Sequence, residues 1–293
     1  MECGVEFGVN KRISSEVMSI GGNCVRPGGG VGFMRLYFRY VHFLLKSQAQ
    51  YKGSFIMLLV AHFFTPLVMF AGVYLLFERF GSIQGWTMYE VFVSYAVIAM
   101  CFAITECFAR GFDKFPDMIR TASFDRVLVR PRGTILQVLG SGFDIKRVGP
   151  FLVSVVILIL AIALGDVSWN VAKVVMLINM FVSGTFIFGG VYMLQAAMSF
   201  WTIDGLEFAN VLTHGIRQHA IYPLNIFPRG ITIFLTFIIP FGTITYLPLQ
   251  YLHGRIDGIG WLYAFMPLLG ALFIIPCIFA WRFGVRKYSS AGS

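Results

Sequence analysis

Ser123-Phe-Asp-Arg-Val-Leu-Val-Arg-Pro-Arg132 sits at the centre of a basic stretch, Arg110 to Pro150, whose two flanks are apolar enough to lie in lipid. Eight Lys or Arg residues fall in it: Arg110, Lys114, Arg120, Arg126, Arg130, Arg132, Lys146 and Arg147. Positive charge between hydrophobic spans marks the cytosolic side of a membrane protein, so this stretch reads as a cytosolic loop. Its middle alternates, with Phe124, Arg126, Leu128 and Arg130 on one parity and Asp125, Val127 and Val129 on the other, until Pro131 stops any strand or helix. A bare connector needs no Val-Leu-Val core. Charged residues around a small apolar knob, held between two membrane helices, are what a soluble partner can grip to move those helices.

Outward from the loop, composition fixes the class. The 293 residues are 57% hydrophobic, 16% aromatic and 13% charged, where a soluble domain carries roughly a quarter charged residues. The chain therefore reads as an all-α integral membrane protein. Its formal net charge of +9 is placed for the anionic lipids of the inner leaflet rather than for nucleic acid. Of five cysteines, Cys101, Cys107 and Cys277 lie in or beside apolar spans and Cys3 and Cys24 in the N-terminal tail. Neither a disulfide framework nor a zinc spacing results.

Residues 1–33 are rich in glycine and have few large apolar side chains, so they are expected to be a disordered tail, whether a regulatory extension or an upstream start-codon choice. From 34 to 52, Arg35, Arg39, His42, Lys46 and Gln50 recur at helical spacing among apolar residues. That is an amphipathic helix suited to the membrane interface. A transmembrane domain follows over 53–293, with six spans expected at 53–77, 89–109, 149–165, 171–201, 230–252 and 261–282 and the basic loop at 110–148. With both termini cytosolic, only Arg79, Lys173 and Arg255 of the 23 Lys and Arg fall outside.

Three details of the spans carry expectations. The third and fourth are joined by Gly165 to Asn170 and should be antiparallel neighbours. The fourth is long enough that it should tilt, bend or project into the cytosol, with Gly189-Gly190 the expected place of a bend and Gly184 allowing close helix approach. In the fifth, Pro240, Gly242 and Pro248 argue for a helix that ends near Pro240 and a short re-entrant piece beyond it.

No Gly-Lys dipeptide occurs, so the chain has no phosphate-binding P-loop, and no His-Glu-x-x-His metal pair is present. Neither catalytic nor metal-binding residues are expected. Ionisable residues within spans are functional candidates, and His62 is the one at depth. Glu78, Glu90, Glu106, Asp166 and Lys173 fall at span ends, where water or headgroups are expected to reach them.

Three stretches carry a family resemblance. They are Gly111-Phe-Asp-Lys-Phe-Pro116 through Phe124-Asp-Arg-Val-Leu-Val-Arg-Pro131; Trp201-Thr-Ile-Asp-Gly-Leu-Glu207 with Asn210, Gly215, Tyr222-Pro-Leu-Asn-Ile-Phe-Pro228, Ile239-Pro240, Tyr246, Pro248 and Gly254; and Phe283-Gly-Val-Arg-Lys-Tyr-Ser289. From Met34 onward the chain resembles a six-span permease subunit of a type-2 ABC transporter, in a subfamily similar to multidrug and viologen exporters. The resemblance implies that the loop docks on a separate ATPase subunit. It assigns contacts to Phe124, Asp125, Arg126, Leu128, Arg130 and Pro131, and a second dock or charged hinge to Asp204, Glu207 and Arg217. His62, Pro240, Tyr246 and Pro248 would line a pathway. Implied partners are two ATPase copies, which bind the ATP and Mg that this chain does not, together with a second permease, homologous or identical, and membrane lipid. The implied setting is the bacterial cytoplasmic (inner) membrane, and the implied function is export of small amphiphilic or cationic organic compounds. The competing reading is a self-sufficient secondary transporter or channel using His62 and the aromatic spans, and a third is an anchor or assembly subunit with no pathway.

Overall fold

The computed structural model describes residues 33–48, 52–83, 85–165, 168–202, 215, 228–254 and 260–289. The chain divides into units 1–38 and 39–293. The expected tail lies outside the described residues. Of the first unit only the opening of α1 (Phe33–Gln48) is described, where the Tyr37 and Phe38 rings meet edge to face at 6.3 Å.

In the second unit, α2 (Lys52–Phe80), α3 (Met88–Asp113), α7 (Val148–Leu164) and α8 (Val171–Met198) are long helices. Between α3 and α7 the basic loop folds into α4 (Phe115–Arg120), α5 (Asp125–Leu128), α6 (Thr134–Ser141) and a 3₁₀ turn at Ile145–Arg147. Leucine, isoleucine, valine and phenylalanine on most faces keep the long helices out of water, and the helical hydrogen bonds satisfy most of their backbone polar groups. Among the described residues, five helices are long and apolar enough to cross a membrane: Phe55–Phe80, Met88–Arg120, Ile145–Leu164, Val171–Met198 and Trp261–Lys287. The all-α membrane architecture expected from composition is thus present.

The expected span at 230–252 is not one helix. α9 (Arg229–Ile233) widens into a π-helical turn at Phe234–Ile238 and stops at Ile239, whose extended backbone hands over to Pro240. A 3₁₀ turn at Phe241–Thr243 and the short α10 (Tyr246–Leu252) follow. Pro240 lacks an N–H and crowds the preceding turn, so the break falls where the ring dictates. The last span is also segmented, into α11 (Gly260–Phe265), α12 (Pro267–Ala271) and α13 (Ile274–Lys287).

One expectation about packing fails. α7 and α8 are joined by a short link but pack chiefly on α3 rather than on each other. A six-residue link reaches about 20 Å when extended, which lets the two helices settle on different sides of α3. α8 is one helix through Gly189 and Gly190. Gly190 serves contact, since a Cβ there would stand 3.0 Å from the Phe273 ring and 3.1 Å from Cys277 Sγ. Gly184 does the same toward α3, where a Cβ would lie 2.6 Å from Cys101 Sγ. The small residues of α8 bring α3 and α13 close enough for van der Waals packing, the main attraction between helices in lipid.

Candidate functional site

The basic loop is built as a rigid body. Lys114 closes α3 and opens α4, and Pro116 in the first turn of α4 prevents the two from fusing into one helix. After α4, Ala122 adopts a left-handed conformation, φ 50°, and the chain reverses into α5. Thr121 and Ser123 hold that reversal by donating to the carbonyls of Asp117, at 2.8 Å, and Met118, at 3.3 Å.

An aromatic cluster anchors the loop. Phe124, fully buried, meets the rings of Phe115 at 5.0 Å, Phe200 at 5.8 Å, Trp281 at 6.4 Å and Tyr288 at 5.1 Å. These rings come from α4, the end of α8 and the final helix, and their edge-to-face geometry is the favoured one for aromatic pairs. Trp281 donates its indole N–H to Thr134 Oγ1 at 3.1 Å, and Tyr288 donates its hydroxyl to Asp125 Oδ1 at 2.9 Å. Gln137, buried on α6, donates from Nε2 to the carbonyls of Val127, at 3.1 Å, and Arg132, at 3.0 Å. It thereby grips the tip from both sides.

The loop returns to α3 through glycine and charge. A Cβ on Gly111 would stand 1.8 Å from the Val138 carbonyl oxygen, and one on Gly142 would stand 2.4 Å from the Gly111 nitrogen. Backbone therefore packs directly on backbone. Arg110 pairs with Asp144 at 3.1 Å and approaches Glu106 at 4.0 Å, while Arg147 pairs with Glu106 at 2.9 Å. Two acids and two bases balance, so each buried charge has a counter-charge against its desolvation.

The residues expected to dock a partner separate on this frame. Arg126, Leu128, Arg130 and Pro131 are exposed and cluster at the tip with Val129, which is 85% exposed. Asp125 is half-buried and bonded to Tyr288. Phe124 is corrected from a surface contact to the internal anchor of the loop. The alternating reading placed Phe124 with Arg126 and Leu128, but a helical turn buries positions three apart, and Phe124 and Val127 are the pair turned inward. Val129, unassigned from the sequence, becomes the most exposed apolar residue of the tip, because it falls where α5 ends.

Asp204, Glu207 and Arg217 lie outside the described residues. The four residues expected along a pathway are not brought together. His62 lines a cleft with Phe102, Glu106 and Arg147, whereas Tyr246 stands by Trp86, ring centroids 6.4 Å apart. Glu106 and Glu90, which precedes α10's contacts at the other end of α3, are about 24 Å apart along the helix. Pro248 is buried and Pro240 half-buried.

Two acids expected in water or headgroups are inside the protein. Glu106 is 4% exposed and Glu90 6% exposed. Glu90 Oε2 accepts from the Thr87 N–H at 2.6 Å, a capping contact at the start of α3, and Oε1 lies 3.6 Å from His253 Nδ1. Sequence position did not show which way they faced. The only available signal was pairing, since Glu106 and Arg110 are four apart.

A family model described as ABC-2 family transporter protein matches residues 63–292, from within α2 to the C-terminal end. No curated protein and no solved structure matches the chain. The match takes in the loop, its aromatic anchor, the break at Pro240 and the apolar helices, and on that ground the chain belongs to the ABC-2 transporter family as a multi-pass membrane permease.

Proposed function

We propose that the chain is the permease of an ATP-driven exporter in the bacterial cytoplasmic membrane, moving small amphiphilic or cationic organic compounds. ATP and Mg are bound by a separate ATPase, two copies of which dock on the 110–148 loops of a permease pair. The second permease is a homologue or another copy of this chain. The observation that carries this reading is the loop tip. Leu128, Val129, Arg126 and Arg130 are exposed on a body fixed to α3, α6, α8 and α13 by rings, glycine contacts and buried ion pairs. An exposed apolar tip flanked by arginines suits a groove on a soluble protein.

Closure of the two ATPase subunits then draws the two tips together. The anchoring passes that displacement to α3 and to the end of α8 as rigid-body motion rather than as local bending of the loop. Family membership supports partnership with an ATPase component, and the lack of a Gly-Lys dipeptide supports placing hydrolysis on that partner.

Co-expression with a neighbouring ATPase and permease, followed by purification, tests the reading. Arg126→Glu with Arg130→Glu should remove the ATPase while the membrane part stays folded. ATPase retained by this variant would move the dock to residues 203–229. An unmutated chain that purifies with no ATPase would favour self-sufficient transport.

A further inference from the structure

We infer that the cleft between α2, α3 and α7 is a binding site for a primary ammonium group carried on an apolar chain. His62 and Thr65 of α2, Phe102 of α3 and Ser154 of α7 line it, with the Glu106–Arg147 pair at one side.

The polar atoms of this wall are mostly acceptors. Thr65 donates its hydroxyl to the Ala61 carbonyl at 3.1 Å, and Ser154 donates its own to the Pro150 carbonyl at 2.8 Å. Each hydroxyl oxygen keeps lone pairs after its proton is engaged. His62 Nδ1 lies 2.8 Å from the Leu58 carbonyl, which can only accept. Nδ1 therefore carries a proton, and a ring with its single proton there presents Nε2 as an acceptor. Pro66 sits inside α2 without an N–H, so the His62 carbonyl four residues earlier has no helical donor. The cationic group of the wall, Arg147, is paired with Glu106 at 2.9 Å. A ligand that fits these surroundings brings N–H donors and positive charge.

Size sharpens the chemistry. The recess of the cleft is about 20 Å³, room for one water-sized group. An –NH₃⁺ head is of that size, and a trimethylammonium head is not. The apolar remainder of the ligand would lie outward along α2, where Val60, Phe63 and Phe64 are exposed. Arg147 Nε is buried without a hydrogen-bond acceptor, so a ligand with an oxyanion near its ammonium has an additional partner. A free amphiphilic amine and the ethanolamine headgroup of a phospholipid share this chemistry. As a station on the transport route the site rests on the export reading; as a binding site it does not.

The full chain in phosphatidylcholine nanodiscs, titrated with octylammonium or octyltrimethylammonium while its thermal unfolding is followed, tests the site. Octylammonium should bind about tenfold or more tightly than its trimethyl analogue, and Thr65→Val with Ser154→Ala should remove that difference. Thr65→Val alone, at an exposed and isosteric position, serves if the double variant is unstable. Native mass spectrometry from bilayers of equal phosphatidylethanolamine and phosphatidylcholine separates the sources. Retained phosphatidylethanolamine that the variant loses assigns the lipid headgroup, and discrimination between the octyl amines alone assigns a free amine. Equal binding of primary and quaternary heads, or discrimination that the variants leave intact, overturns the proposal. ATP-driven octylammonium uptake into inside-out vesicles tests export separately. Uptake unaltered by the variants overturns the site as a station on the route and leaves export standing, whereas variant-sensitive binding without uptake keeps the site and sinks export of such amines.

Discussion

α2 and α3 are consecutive, almost equally apolar, and opposite in environment. Their most apolar windows have mean hydropathies of 2.1 and 2.0, yet the protein buries 11% of one and 83% of the other. α3 carries Ser94, Ala96, Ala99, Cys101 and Ala103, all buried, and these small side chains admit α7 and α8 on its flanks. α2 turns Ile56, Met57, Phe64, Val68 and Leu75 outward. Hydropathy measures transfer out of water and does not distinguish lipid from protein as the destination; side-chain size does, because helix contact in lipid depends on close approach. The consequence for function is that the central helix, not the peripheral one, continues into the basic loop.

The contrast is broken most severely at acids. Glu106→Ala on α3 leaves Arg147 without its counter-charge, while Arg110 keeps Asp144, and should cost about 3 kcal/mol. Glu78→Ala on exposed α2 should stay within about 0.5 kcal/mol. Unfolding of the purified variants in detergent measures both, and similar losses would mean that the Glu106 network is solvated. Val68→Asp probes what surrounds α2: if lipid covers Val68, membrane insertion should become less favourable by about 2.5–3.5 kcal/mol at mid-span, read in a glycosylation-based insertion assay. No change there would place Val68 against water.

Glycine gives the next smaller effect. Gly111→Ala drives a methyl into the Val138 carbonyl and should cost about 1–3 kcal/mol, with faster proteolysis of the loop as α6 lifts from α3. Gly72→Ala meets nothing within 4 Å and should be silent in both assays. Equal protease resistance in the two variants would show that the loop does not depend on that backbone contact. Smaller again is Tyr288→Phe, which deletes the hydrogen bond to Asp125 at a cost of about 1 kcal/mol. Tyr74→Phe, on the exposed face of α2, should cost nothing measurable in the same unfolding assay.

Much of this architecture was legible in the residues. Apolar runs located the long helices, and Pro240 located the break, because a missing N–H acts at one position whatever surrounds it. Gly184 was read correctly as a contact glycine. Partner choice was not legible: the short link between α7 and α8 constrains their ends, while α3 provides the surface on which both pack. Nor was the aromatic anchor, since Phe115, Phe124, Phe200, Trp281 and Tyr288 are far apart in sequence and meet only when the end of α13 returns to the loop. Phe124 was misread because alternation and a single helical turn differ over four residues only in whether position 127 or 126 joins it.

Val129 separates two meanings of exposure. It is 85% exposed and Val68 is 69% exposed, both valines on helical or near-helical backbone. If Val129 stands in water at a docking tip, Val129→Asp should leave unfolding within about 0.5 kcal/mol of the unmutated chain, while Val68→Asp impairs insertion. The same Val129→Asp should nevertheless weaken ATPase retention, because a carboxylate entering an apolar groove loses its hydration without gaining a partner. A variant that folds normally and still holds its ATPase would leave Leu128 and the arginines as the docking surface without Val129. A variant that folds poorly would place Val129 against lipid, and the basic loop would then resemble α2 rather than an extension of α3.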